Sequence, residues 1–131
     1  MITPRFTCAC VLIIAMIWTG AAWEEVGEPR DAVAMIRAQL ADDPLITIGA
    51  HTHSHQVLSC CEPDQAAAEV SQNLQAVLQI TRSTPTCFAY PNGRAGDFSP
   101  ATAAILRDHG IRTAVTTVRG LNPLGTDVME L

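Results

Sequence analysis

Three histidines fall within five residues, His51, His53 and His55, directly after the run Leu45-Ile-Thr-Ile-Gly-Ala50. Clustered imidazoles are ligands for a divalent metal such as zinc, which takes histidine nitrogens at about 2.0–2.1 Å. Spacing decides which of them can share one ion. In an extended chain rising about 3.3 Å per residue, His51 and His55 would stand roughly 13 Å apart. If the chain curls into a helical turn they become neighbours on one face, with about 5–6 Å between Cβ atoms. The geometry favours His51 and His55 as the pair and leaves His53 pointing elsewhere; the plainer reading is a solvated polar turn. A second stretch of interest is Phe88-Ala-Tyr-Pro-Asn-Gly93, whose last four residues make a sharp turn.

The elements around these stretches decide where they sit. Leu45 to Ile48 is rich in β-branched residues and follows the turn Asp42-Asp43-Pro44, so it reads as a buried strand, and Gly49 lets the backbone bend after it. Parallel α/β sheets place their ligands at such strand ends. Asp64 can cap a helix from about Gln65 to Thr81, whose Val70, Leu74, Val77 and Leu78 form an apolar stripe that is core and carries no function. Thr84-Pro85-Thr86 breaks that helix, and Cys87 to Tyr90 reads as the next strand. Ser99 as cap, Pro100 at the first position and Gly110 beyond the end signal a helix through Arg107, and Ile111 to Val118 supplies another strand. Upstream, Glu28 to Ala41 reads as an amphipathic helix with Pro29 and Asp31 in its first turn and Val33, Ile36, Arg37 and Leu40 at helical spacing. Strands alternating with helices give βαβ units, hence an α/β fold with a parallel sheet or part of a barrel. Residues 120–131 read as a turn-rich tail without a closing helix.

A chain of 131 residues holds one domain, and an apolar content of 48% excludes a disordered one. The net charge of −5, with eight Lys plus Arg and no run of them, argues against a nucleic-acid surface. Residues 1–22 open with Arg5, pass through Cys8 to Trp18 and end in small residues, which fits a secretory signal or a membrane anchor and an extracytoplasmic location. A buried strand or helix of the fold is the competing reading of that stretch. Of five cysteines, Cys8 and Cys10 would leave with a cleaved signal. Adjacent Cys60 and Cys61 seldom bridge each other, so a bond from one of them to Cys87 would leave one thiol over. A zinc site using His51, His55 and one of these thiols is a further option, weakened by the lack of Cys-x-x-Cys spacing.

Ile48-Gly-Ala-His-Thr-His-Ser-His55, followed by Phe88-Ala-Tyr-Pro-Asn-Gly93, resembles the polysaccharide deacetylase family (carbohydrate esterase family 4, with its nodulation-type chitooligosaccharide deacetylase homology domain) from about Ala41 to Gly125. The resemblance implies a distorted (β/α) barrel, of which residues 28–131 are a part that lacks the first strand and the C-terminal end. It implies metal-dependent hydrolysis of N- or O-acetyl groups on a polysaccharide or oligosaccharide, with zinc the usual ion, held by His51, His55 and an aspartate. Thr52 matches the hydroxyl position of the histidine motif. Asn92 falls where the family donates a backbone N–H to the oxyanion, and Tyr90, Pro91 and Gly93 fall in the substrate groove. Several family parts are missing. Ala89 stands where many members carry arginine, and no Asp-Asp pair ends a strand ahead of His51, because Asp42-Asp43 lies at the opposite end of the histidine strand. No Leu-x-His motif follows, and His109 reads as a helix C-terminal residue. The resemblance therefore implies the middle of a deacetylase domain, impaired as a catalyst; the alternative is an inactive remnant that binds metal or carbohydrate.

Overall fold

The computed structural model describes residues 43–131, Leu40 and Ala41, and the backbone of Val11–Ile13. Strand β1 is Val11–Ile13 and β2 is Ile46–Ile48; they run parallel, Val11 opposite Ile46 and Ile13 opposite Ile48. Asp43 makes the turn into β2, its Oδ1 accepting the Leu45 N–H at 2.8 Å and its carbonyl the Ile46 N–H at 3.1 Å. A strand thus lies along the edge of β2 that the sequence reading leaves open. An apolar run such as Val11-Leu12-Ile13 serves a strand as well as a signal core, and periodicity does not separate the two. No carboxylate follows it, since the next residues are Ile14-Ala15-Met16. The rest of the signal or anchor assignment, and the helix expected over Glu28 to Ala41 apart from its last two residues, lie outside the described residues.

Helix α1 spans Pro63–Thr81 and begins earlier than the sequence suggests. Glu62 is its cap residue and Pro63 its first residue, a position proline's fixed φ already suits. Asp64 is therefore not the cap; it sits in the first turn, where negative charge meets the helix N-terminus favourably. Ala66, Val70, Leu74, Val77 and Ile80 are buried, and Asn73 is buried among them. Leu78, expected in the stripe, is 42% exposed, because the three-residue step from Val77 leads to Ile80.

Strand β3 is Cys87–Ala89, helix α2 is Pro100–Asp108 and strand β4 is Thr113–Val115. The capping box of α2 uses Thr102 in place of the usual Glu or Gln: Ser99 Oγ accepts the Thr102 N–H at 3.2 Å, and Thr102 Oγ1 accepts the Ser99 N–H at 2.8 Å. β3 and β4 pair in parallel, Phe88 opposite Ala114. Ala50 joins the two strand pairs through a parallel bridge to Phe88, so the order is β1-β2-β3-β4 with all strands in one direction.

The tail differs from expectation. Ala114 N–H donates to the Val128 carbonyl, Leu131 N–H to the Ala114 carbonyl and Thr116 N–H to the Leu131 carbonyl, at 2.9, 3.0 and 2.6 Å, which lays Val128–Leu131 along the outer edge of β4. Arg107 Nη2 pins this segment to α2 through both carboxylate oxygens of Asp127 at 2.8 Å, and Met129 is fully buried. It shares the core with Leu58, Val70, Phe88, Leu106 and Ala114.

Candidate active site

The bridge between Ala50 and Phe88 brings the end of β2 beside the end of β3, and His51 is the next residue. His51 is 9% exposed and its Nδ1 lies 2.8 Å from the Ala89 carbonyl oxygen. A carbonyl only accepts, so Nδ1 carries the proton and Nε2 keeps its lone pair. Burial holds the His51 pKa below the usual imidazole range; the hydrogen bond to Ala89 opposes this, and the neighbouring His55 adds to it. Neutral imidazole is the form that ligates a metal. The His55 ring lies 4.9 Å from that of His51, centroid to centroid, at an interplanar angle of 65°. His53 is half-buried and outside the pair.

The two rings meet by a route other than a helical turn. Thr52 and His55 both adopt left-handed backbone, φ 59° and 62°, with a bend at His53–Ser54 between them. Such residues cost roughly 1–2 kcal/mol each when they carry a side chain. Two side chains of α1 offset that cost. Asn73 Oδ1 accepts the His51 N–H at 2.9 Å; Glu69 Oε2 accepts the His53 and Ser54 N–H groups at 2.9 and 2.8 Å, and its Oε1 accepts the Ser54 hydroxyl at 2.7 Å. Hydrogen bonds to a charged partner contribute about 1.5–3 kcal/mol each, so the bent turn is favoured on balance. The sequence reading assigned α1 no part in the site; the signal it passed over is a polar Asn73 inside an apolar stripe. The buried Thr52 hydroxyl has no hydrogen-bond partner among the described residues.

The histidine pair fits two positions of a metal site. With metal–nitrogen bonds of about 2.0–2.1 Å and tetrahedral angles, two imidazoles place their ring centres roughly 5 Å apart, close to what is found here. No third ligand joins them: among the described residues no group of three His, Cys, Asp or Glu could hold an ion. Among the described residues no thiol joins the two rings in a group that could hold an ion, and Cys60, Cys61 and Cys87 form no disulfide. Asp43 lies at the entry of β2, before the strand whose far end leads to His51.

The Tyr90-Pro91-Asn92-Gly93 turn follows β3 directly. Tyr90 and Pro91 are buried, the tyrosine ring stacked on Phe98 at 4.8 Å and edge-on to Phe88 at 5.5 Å. Burial, helped by the charge of Glu130, pushes the Tyr90 pKa up to about 12, and its hydroxyl has no partner among the described residues. Asn92 is exposed with φ 58°, and its carbonyl accepts the Thr117 hydroxyl at 2.7 Å. Gly93 is buried at φ 66°, and its carbonyl accepts the Thr117 N–H at 2.8 Å. The Asn92 N–H has no partner among the described residues. His109 caps the C-terminus of α2 and donates Nδ1–H to the Ile105 carbonyl at 2.8 Å.

The sequence profile described as polysaccharide deacetylase matches residues 20–114, most of the chain. The chain belongs to the polysaccharide deacetylase family. Its fold is similar to the Bordetella bronchiseptica BpsB deacetylase domain (TM-score 0.67, 13% identity, 76% of this chain and 46% of that one). It is also similar to the Streptococcus pyogenes deacetylase PplD in complex with acetate (TM-score 0.59, 21% identity, 65% and 36%) and to a Streptomyces lividans family 4 carbohydrate esterase in complex with acetate (TM-score 0.54, 22% identity, 65% and 41%). The chain thus spans between a third and a half of the length of these three deacetylase structures. No curated protein matches it by sequence. In this polysaccharide deacetylase chain the backbone carbonyl of Ala89 orients the ring of His51.

Proposed function

We propose that the chain supplies the histidine half of a metal-dependent site that removes N- or O-acetyl groups from a polysaccharide. The observation carrying this is the His51–His55 pair, rings 4.9 Å apart, with His51 Nδ1 committed to Ala89 and Nε2 left to ligate. His51 and His55 would hold the ion, zinc being the usual one in the family. Once bound, such an ion polarises an acetyl carbonyl and lowers the pKa of water towards about 7. The rest falls to the chain itself. Ala89 fixes the tautomer of His51, and Asn92 offers its N–H to the developing oxyanion, a donor worth about 3 kcal/mol of barrier. Tyr90, Pro91 and Gly93, which flank that donor in the groove assigned to substrate, are all buried, so they shape the groove through the backbone of the turn. A third ligand and a general base must come from an acidic pair of the kind the family carries at the end of its first strand. Without the base alone, a loss of about 10²–10⁴-fold is expected.

That no third ligand joins the pair among the described residues also favours a second reading, a non-catalytic remnant that binds metal or carbohydrate. Calorimetric titration of zinc into the wild type and the His51→Ala, His53→Ala and His55→Ala variants tests the pair. Binding should vanish without His51 or His55 and persist without His53. Loss on changing His53 alone, or equal loss in all three, would refute the assignment.

A further inference from the structure

We propose that Glu69 and Asn73 on α1 are positioning residues that hold His51 and His55 where one ion can meet both, an inference that rests on the metal-site reading above. They lie four residues apart and so share one helix face. Between them they take three backbone N–H groups of the turn, those of His51, His53 and Ser54, and the Ser54 hydroxyl as well. A single carboxylate oxygen, Glu69 Oε2, accepts from two consecutive N–H groups. In an extended strand consecutive N–H groups point to opposite sides, so this clamp closes only on a bent chain. His55 follows the clamped Ser54 directly, and His51 is fixed from both sides, its N–H by Asn73 and its ring by Ala89. Without the clamp, nothing local keeps Thr52 left-handed, because a β-branched residue adopts this conformation least readily, although His55 tolerates it better.

The test measures zinc affinity, thermal stability and amide hydrogen exchange in the same variants. Glu69→Ala and Asn73→Ala should weaken zinc binding about 10–100-fold, as loss of groups that orient metal ligands typically does. Glu69→Gln keeps an acceptor oxygen in place and should restore most of the affinity. Val77→Ala removes buried apolar volume from the same helix without touching the turn; it should lower the melting temperature yet leave zinc affinity within about twofold, as independent sites do. Zinc affinity that tracks melting temperature across all four variants, or wild-type affinity in Glu69→Ala, would overturn the proposal. If the wild type itself binds no zinc, the metal reading fails separately and exchange decides the positioning claim. The His53 and Ser54 amides should then exchange about tenfold faster or more in Glu69→Ala and not in Val77→Ala, and unchanged protection would refute the clamp.

Discussion

Replacing Gly93 with alanine should loosen the turn that presents Asn92, and two separable costs set the size of the effect. The first is conformational: Gly93 sits at φ 66°, where a side chain costs roughly 1–2 kcal/mol. The second is steric. A Cβ there would lie 2.9 Å from the Thr117 nitrogen and 3.3 Å from the Cα and carbonyl carbon of Thr116, all backbone atoms that cannot rotate aside. Thr117 must move, and with it the two hydrogen bonds it makes to the Asn92 and Gly93 carbonyls. At about 0.5–1.5 kcal/mol each, these bring the total for Gly93→Ala to roughly 2–5 kcal/mol. Gly110 is the control, since its φ is 85° but nothing lies within 4 Å of an added Cβ, so Gly110→Ala should cost only the conformational part, roughly 1–2 kcal/mol. Urea unfolding of both variants, compared by midpoint at equal slope, gives the difference directly. Equal destabilisation of the two would refute the close approach of Gly93 to the strand end after β4.

Two further outcomes are expected. Tyr90 is the chain's only tyrosine and the chain has no lysine, so the near-ultraviolet tyrosinate band reports this one group. Its folded pKa is raised, so the stability it contributes is complete below the unfolded value near 10 and is lost as pH rises to about 12; ionisation of the native protein near pH 10 would contradict its burial. The isolated chain should release little acetate from acetylated chitooligosaccharides with zinc or cobalt, and replacing the two residues after Ile13 with Asp-Asp should recover part of the activity. Robust turnover by the unaltered chain, abolished by His51→Ala, would show that a carboxylate already present serves as base.

How much of this was legible in the sequence depends on the range of the interactions involved. Helix α2 could be read because its stops are local: Ser99, Pro100 and Gly110 each act through their own backbone. The pairing of His51 with His55 followed from spacing, yet the path between them did not, because a β-branched threonine rarely adopts left-handed backbone and histidine does so only in a minority of cases. The part played by Glu69 and Asn73 is illegible in the sequence for a different reason. Their partners lie 15 to 22 residues away, and periodicity shows only that Asn73 faces inward, not what it meets there. Val128–Leu131 was likewise unreadable as part of a sheet, since four residues are too few to show alternation and only β4 gives them a ladder.

The all-parallel sheet also sets how the chain must fold. Val11 meets Ile46 and Cys87 meets Thr113, so no ladder between the strands can start from a tight hairpin. Helices α1 and α2 can form within about a microsecond, whereas each strand pair must first meet the loop-closure entropy of the chain between its members. The last edge to be covered is that of β4, by a segment held through Asp127 and the buried Met129. Until it docks, β4 offers an unpaired edge to any other unfinished copy. Association of such copies accelerates with concentration while closure of a chain's own ladder does not, so dilution governs the yield of refolding.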